Sequence, residues 1–280
     1  MGNMNVLAAV RLVTDRLDQL LSVARTGAEV ASEGFQAGIV AETKGAADRI
    51  VNPGDVVTAA DRDAQRAILE AIEDRFPADT IVAEEEDAQK TVPDSGAVWV
   101  IDPIDGSYNF VRGIPMWATA VALVVDGTAV GAATIAPATA TTYFADRSRT
   151  TRDGTPVSVS DRTDPKTFGV AYTVVPALGE RAAYSDGVKA MLTSFGDVRR
   201  IGSLHIALAL VAAGGLEGVV TPAVVSPWDS IGGVHLVRQA GGVATDIDGD
   251  PWRPESTGLV VSNGTAHEEL LRIGRHMAGD

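Results

Sequence analysis

Asp102 and Asp105 stand three residues apart around Pro103, in the stretch Trp-Val-Ile-Asp-Pro-Ile-Asp-Gly-Ser-Tyr-Asn-Phe that covers Trp99–Phe110. Trp99 to Asp102 read as the end of a buried strand, and Pro103, with no N–H to give, should stop the ladder. Gly106 permits a tight backbone path. Ser107 or Asn109 is placed to cap a helix whose first N–H groups face the same spot. A strand end with two carboxylates, followed by bare N–H groups, can hold a cation and a phosphate together. Taken alone, Asp-Pro-Ile-Asp-Gly is as readily a plain turn, since these are the commonest turn formers.

Three further acids change the balance. Asp61 falls in the first turn of a helix read over Arg62–Phe76, capped by Thr58; by itself it is an ordinary helix-dipole acid. Glu84 opens the run Glu84-Glu85-Glu86 behind a short strand at Thr80–Ala83, a run that on its own is a solvated edge. Asp229 follows Pro227-Trp228 at the start of a helix that reaches Ala240. If the fold brings these acids together they form an oxygen cage. Two like charges ~4 Å apart repel by about 4 kcal/mol at an effective dielectric of 20. Such a cage must therefore hold divalent cations or be partly protonated and loose. With no cysteine in the chain, ligands are oxygen or imidazole, which favours hard ions such as Mg²⁺ or Mn²⁺. His205, His235, His267 and His276 show no ligand spacing and are read as structural or surface residues.

The elements that must position these acids fall into two halves. Apolar residues recur at helical spacing over residues 6–31, giving one long amphipathic helix. Gly45 to Gly54 reads as a loop. Strands follow at Trp117–Val125, Ala129–Ile135, Thr141–Phe144 and Val157–Val159, with turns at Asp126-Gly127 and Asp153-Gly154. Beyond residue 161 strands alternate with helices. Strands are read at Phe168–Val174, Val198–Ile201, Val219–Thr221, Val243–Ile247 and Leu259–Ser262, with helices at Tyr184–Leu192, up to Ala213, from Pro227 and over His267–Met277. We expect an N-terminal α+β domain over 1–160 and a C-terminal α/β domain over 161–280, closely packed.

Composition removes several function classes. The net charge is −14, with four lysines beside 19 arginines, so broad nucleic-acid binding is disfavoured. The same charge would repel a phosphorylated substrate unless bound cations reverse it locally. No apolar run approaches the roughly 20 residues of a membrane span. The expectation is a cytoplasmic protein with a small-molecule partner and no membrane.

Val-Ile-Asp-Pro-Ile-Asp-Gly-Ser-Tyr-Asn-Phe resembles the first signature of the inositol monophosphatase family, the lithium-sensitive, Mg²⁺-dependent phosphatases related to fructose-1,6-bisphosphatase. Pro227-Trp228-Asp229 through Arg-Gln-Ala-Gly-Gly resembles its second signature. The likeness extends to Asp55–Asp61, Ala83-Glu84-Glu85, Ile201-Gly202-Ser203 and Val261–Gly264. It implies a layered αβαβα sandwich, mixed α/β and α+β, and often a homodimer. It implies two or three Mg²⁺ ions, with Mn²⁺ as a substitute. Glu84, Asp102 and the carbonyl of Ile104 would hold the first metal, which also binds the attacking water. Asp102, Asp105 and Asp229 would hold the second, and Glu84 would assist a third. Ser107 and Asp61 would take the water's proton. Gly106 and Ser107 would cradle the phosphate, with Asp105, Gly202, Ser203 and Asp229 at the substrate, and Lys44 would reach in from a mobile loop.

The family reading makes inositol 1-phosphate the first candidate substrate. Fructose 1,6-bisphosphate, 3′-phosphoadenosine 5′-phosphate and histidinol phosphate stay open. A regulatory protein contacting RNA polymerase or ribosomes is the alternative of a different class, and a purely structural metal site is a third. The chain also departs from the family pattern. Ser107 stands in place of threonine and Ala83 in place of glycine. Leu204-His205 stand where small residues are usual and should narrow the substrate pocket. Pro222 stands where inositol-specific relatives carry a glutamate.

Overall fold

The computed structural model describes residues 2–37, 42–43, 56–57, 59–85, 88–173 and 181–279. Thr58, Lys44, Glu86 and the Gly45–Gly54 loop lie outside the described residues, and so do the expectations placed on them. The amphipathic opening forms α1 (Gly2–Ala37). A two-residue pair, β1 (Glu42–Thr43) with β2 (Val56–Val57), precedes α2 (Ala59–Glu73). Seven strands follow: β3 (Thr80–Ala83), β4 (Ala97–Asp105), β5 (Ala118–Val125), β6 (Thr128–Ala136), β7 (Thr141–Ala145), β8 (Thr150–Arg152) and β9 (Thr155–Val157). They form one sheet in sequence order, parallel only between β3 and β4. One short helix, α3 (Ser107–Val111), leaves the end of β4.

The second sheet takes β10 (Gly169–Tyr172), β11 (Asp197–Arg199), β12 (Gly218–Thr221), β13 (Val243–Thr245) and β14 (Leu259–Ser262) in the order β11-β10-β12-β14-β13. Its helices are α4 (Arg181–Ser194), α5 (Leu204–Ala212), α6 (Pro227–Gln239) and α7 (His267–Ala278). Alternation decides the layers. Val219 and Val261 face a core shared with Leu208, Leu236 and Val237 of α5 and α6 and with Val100, Ala122 and Ala132 of the first sheet. Val220 and Val260 face the opposite way, onto Met191, Leu270 and Ile273 of α4 and α7. Leu20, Val23, Ile68 and Ile72 of α1 and α2 cover the far side of the first sheet against Trp99, Ile101, Val121 and Leu123. The order is therefore α, β, α, β, α. Its middle helix layer explains why α5 reads Leu-His-Ile-Ala-Leu-Ala-Leu-Val-Ala: with a sheet on either side it needs no polar face.

Three expectations are corrected. Pro103 does not end the ladder: Asp102 opposes Ala120 and Asp105 opposes Ala118, so Pro103 and Ile104 together face Thr119 in a bulge. The missing N–H is accommodated there, and the Pro103 carbonyl accepts from Thr119 Oγ1 at 2.8 Å. Neither Ser107 nor Asn109 caps α3; Gly106 holds that position with φ 91°. The strand read at Val157–Val159 is β9, two residues earlier, and pairs with β8, which went unread because only three residues separate its turns. The turns at Asp126-Gly127 and Asp153-Gly154 are both in the positive-φ form that matches strand twist.

Candidate metal centre

The bulge in β4 places both its acids at one end of the sheet. Asp102 is 1% exposed and Asp105 7% exposed. Gly106 then turns the chain into α3 through a left-handed conformation, and a Cβ there would meet the Gly202 carbonyl at 3.0 Å and that of Met116 at 3.1 Å. Only glycine satisfies both the φ and the space. Asn109 ties the same junction by donating to Met116 O at 2.6 Å and Ile201 O at 2.9 Å. That bond brings the start of α5 against Asp105. The carboxylate accepts from Leu204 N at 3.1 Å, His205 N at 2.6 Å and Ser203 Oγ, so the first N–H groups of a buried helix hold it. Ser203 also caps α5 by accepting from Ile206 N at 3.2 Å.

Asp229 arrives from α6. Pro227 occupies the first helical turn, and Asp229 lies three residues after Ser226, in the spacing of a capping box. The hydroxyl and main chain of Ser226 both favour the charged form of the Asp229 carboxylate. Oxygens of Asp102, Asp105 and Asp229 meet within 4.8 Å of one another. Glu84, at the end of β3, is outside that closest group but near enough to act on it. Burial, then repulsion from Glu84, Asp105 and Asp229, holds the Asp102 carboxyl well above the usual carboxylate range. Burial and repulsion from Glu84 and Asp105 do the same to Asp229, against the opposing bonds from Ser226.

Among the described residues, neither oxygen of Asp102 meets an N–H or O–H donor, and Glu84 approaches it only as another carboxyl. A buried carboxylate normally has donors or a cation. Oxygen donors, three acids and a wholly orphaned central carboxylate fit a hard divalent cation. The second part of the centre lies at the start of α2. Asp61, fully buried in the first turn of α2, accepts from Ser107 Oγ at 3.1 Å, and the same hydroxyl lies 2.9 Å from Ile104 O.

The structure thus brings together Asp61, Glu84, Asp102, Ile104, Asp105, Gly106, Ser107, Gly202, Ser203 and Asp229. Lys44 lies outside the described residues. Leu204 and His205 do not project into an open pocket. Leu204 joins the core between the sheets, and His205, 1% exposed, lies 2.7 Å through Nε2 from Trp228 O. Among the described residues no histidine belongs to a metal-suited group. Sequence reasoning missed Gln65 and Lys90. Gln65, one helical turn after Asp61, takes both the N–H and the carbonyl of Glu85 at 2.8 Å. Lys90 donates to the carbonyls of Ala83 and Glu84. The available signals were the four-residue spacing in one case and the scarcity of lysine in the other.

Five alternating layers with clustered acids where a bulged strand meets two helix starts define a class of metal-dependent phosphatases. The chain belongs to the inositol monophosphatase family, whose model matches residues 14–276. Members of that family are phosphoric monoester hydrolases acting on small phosphorylated substrates. The chain is 32% identical over 224 residues to the fructose-1,6-bisphosphatase/inositol-1-monophosphatase of Thermotoga maritima, covering 78% of this chain and 82% of that one. It is 31% identical to a histidinol-phosphatase of Mycobacterium tuberculosis, covering 77% and 83%. A solved IMPase structure from Thermotoga maritima superposes with a TM-score of 0.83 at 28% identity, covering 95% of this chain and 98% of that one. Among the described residues no helix is long and apolar enough to cross a membrane.

Proposed function

We propose that the protein is a Mg²⁺-dependent phosphomonoesterase that hydrolyses a small phosphorylated polyol or sugar, with inositol 1-phosphate the first candidate. One observation carries this: three carboxylates within 4.8 Å, the central one buried with no donor on either oxygen. In this proposal Glu84, Asp102 and Ile104 O hold one ion, and Asp102, Asp105 and Asp229 hold another. Residues 1–160 supply most of the ligands and residues 161–280 supply Asp229 and the α5 start. Bound ions would acidify a water and stabilise charge on the phosphoryl oxygens.

The chain's own residues do the rest. Ser107 Oγ donates to Asp61, so it can pass a proton to that carboxylate while accepting one from water. The N–H groups of Gly106 and Ser107 orient the phosphate. Asp105, restrained by three donors from the α5 start, keeps its oxygens aimed at the cluster. The chain is similar to relatives with both inositol and histidinol names, so the alcohol must be identified by turnover. A phosphate-release panel of inositol 1-phosphate, fructose 1,6-bisphosphate, 3′-phosphoadenosine 5′-phosphate and histidinol phosphate, with and without Mg²⁺ and Li⁺, tests the proposal. Mg²⁺-dependent, Li⁺-inhibited release is expected. Release from none of them, with polymerase or ribosomes retained on the protein instead, would replace the enzyme with the regulatory alternative.

A further inference from the structure

We propose that Lys90 is a positioning residue for the acid cluster. Its ammonium ties the strand end carrying Glu84 to the helix start carrying Asp229, and divalent-cation affinity depends on that tie. The inference rests on the metal-dependent function proposed above.

β3 is the outer strand of the seven-stranded sheet, so among the described residues one side of its ladder has no strand beside it. A strap along residues 88–92 takes up part of that side: Val82 bridges Gln89, and Ala83 N donates to Gln89 O at 3.3 Å. Glu84 N still donates to Ile101 O of β4 at 3.3 Å on the other side, but the strap's pairing ends at Ala83. Lys90 Nζ closes this gap with bonds to Ala83 O at 2.8 Å and Glu84 O at 2.7 Å. The same ammonium lies 5.2 Å from the centroid of the Trp228 ring, immediately before Asp229. An ammonium suits the place, since it has three donors and an attraction to a π face.

The tie works within a wider frame. Gln65 of α2 grips Glu85 on the next peptide, and His205 approaches the Trp228 carbonyl from α5 at 2.7 Å. Lys90 joins these two clamps across the cluster. Removing it leaves two edge carbonyls to water and uncouples the Glu84 strand end, still paired to Ile101 O, from the Asp229 helix start. Lys90 is itself exposed, but a lysine with a surface role only would make no such link.

Calorimetric titration of Mn²⁺ into metal-free wild type, Lys90→Met, Lys90→Arg and a surface control, Lys166→Met, tests this. Outer partners of metal ligands are worth about 10–100-fold in affinity, so Lys90→Met should raise the Mn²⁺ Kd at least ~10-fold. Lys90→Arg should recover most of the affinity, Lys166→Met should match wild type, and phosphate release by Lys90→Met should return at high Mn²⁺. A Lys90→Met Kd within about two-fold of wild type, well short of that range, overturns the proposal. If Lys90→Met does not fold, Lys90→Gln, which keeps a donor but not the charge, must show the same loss. Wild type that binds Mn²⁺ yet releases no phosphate would sink the proposed function while leaving the Lys90 result standing.

Discussion

The two sheets contribute opposite things to one centre. The seven-stranded side brings charge: Glu84, Asp102 and Asp105 at strand ends and Asp61 on the helix covering that sheet. The five-stranded side brings a single acid, Asp229, and otherwise N–H groups, because α5 and α6 point their starts at the cluster. Most of the charge therefore originates on one side, while the other supplies the N–H groups that restrain Asp105. Changes on the first side should remove chemistry, whereas changes on the second should displace it.

Asp105 belongs to both sides, so its loss should be largest. Asp105→Asn keeps the size but removes a metal-binding charge and gives the α5 start a weaker acceptor. Turnover should fall at least ~10²-fold, the lower range for an essential acid or base, and Mn²⁺ binding should weaken with it. Asp61→Ala sharpens the contrast within the first side. It should cost a similar ~10²-fold in kcat while leaving the Mn²⁺ isotherm near wild type, because Asp61 meets the Ser107 hydroxyl and is absent from the closest acid group. Near-wild-type turnover in Asp105→Asn would remove the proposed metal site, and in Asp61→Ala it would remove the proton path.

Ser203→Ala tests the restraining side. The hydroxyl both caps α5 and donates to Asp105. Loss of such a cap costs about 1 kcal/mol, which is roughly 2–4 °C in Tm for a chain of this size. Two main-chain donors remain on Asp105, so turnover should fall less than in Asp105→Asn. A fall as large as that of Asp105→Asn would mean that the two sides do not divide the labour.

Much of this was legible because it depends on local pattern. Thr80–Ala83 and Leu259–Ser262 are strands with the bounds that alternation and flanking residues imply. The acids could be placed because each sits at an element boundary or, for Asp102, beside the bulge that Pro103 makes in β4. The illegible parts depend on what lies across space. Whether Pro103 ends β4 or bulges is decided by Thr119 on the neighbouring strand. Gly106 rather than Ser107 begins α3 because Gly202 packs against it. Lys90 matters because β3 is an edge, and strand order is not written in any one segment.

The smallest expected effect is a pH response on the five-stranded side, away from the acids. His267 sits in a chain of bonds in which each proton has one use. Thr245 Oγ1 donates to Asp246 O at 2.8 Å, so it accepts from His267 Nε2 at 3.0 Å. Nδ1 then accepts from Ser262 Oγ at 2.9 Å, whose oxygen takes Gly264 N–H at 3.0 Å. A second ring proton would displace the Ser262 hydroxyl proton and reverse that bond. Burial lowers the His267 pKa from 6.5, against a raising influence from Glu268, and burial lowers His235 likewise. Below about pH 6.5 the unfolded chain therefore binds protons that the folded one refuses, and stability falls as pH drops through that window. Acidification from pH 7 to about 5.5 should lower Tm by a few degrees at most, given about 2–4 °C per kcal/mol. His267→Gln should flatten part of that slope, leaving the share due to His235, while turnover at pH 7 stays unchanged. A full slope in the variant would move the pH response away from this helix start, and not onto Asp102 or Asp229, whose raised pKa values make the folded state gain stability as pH falls.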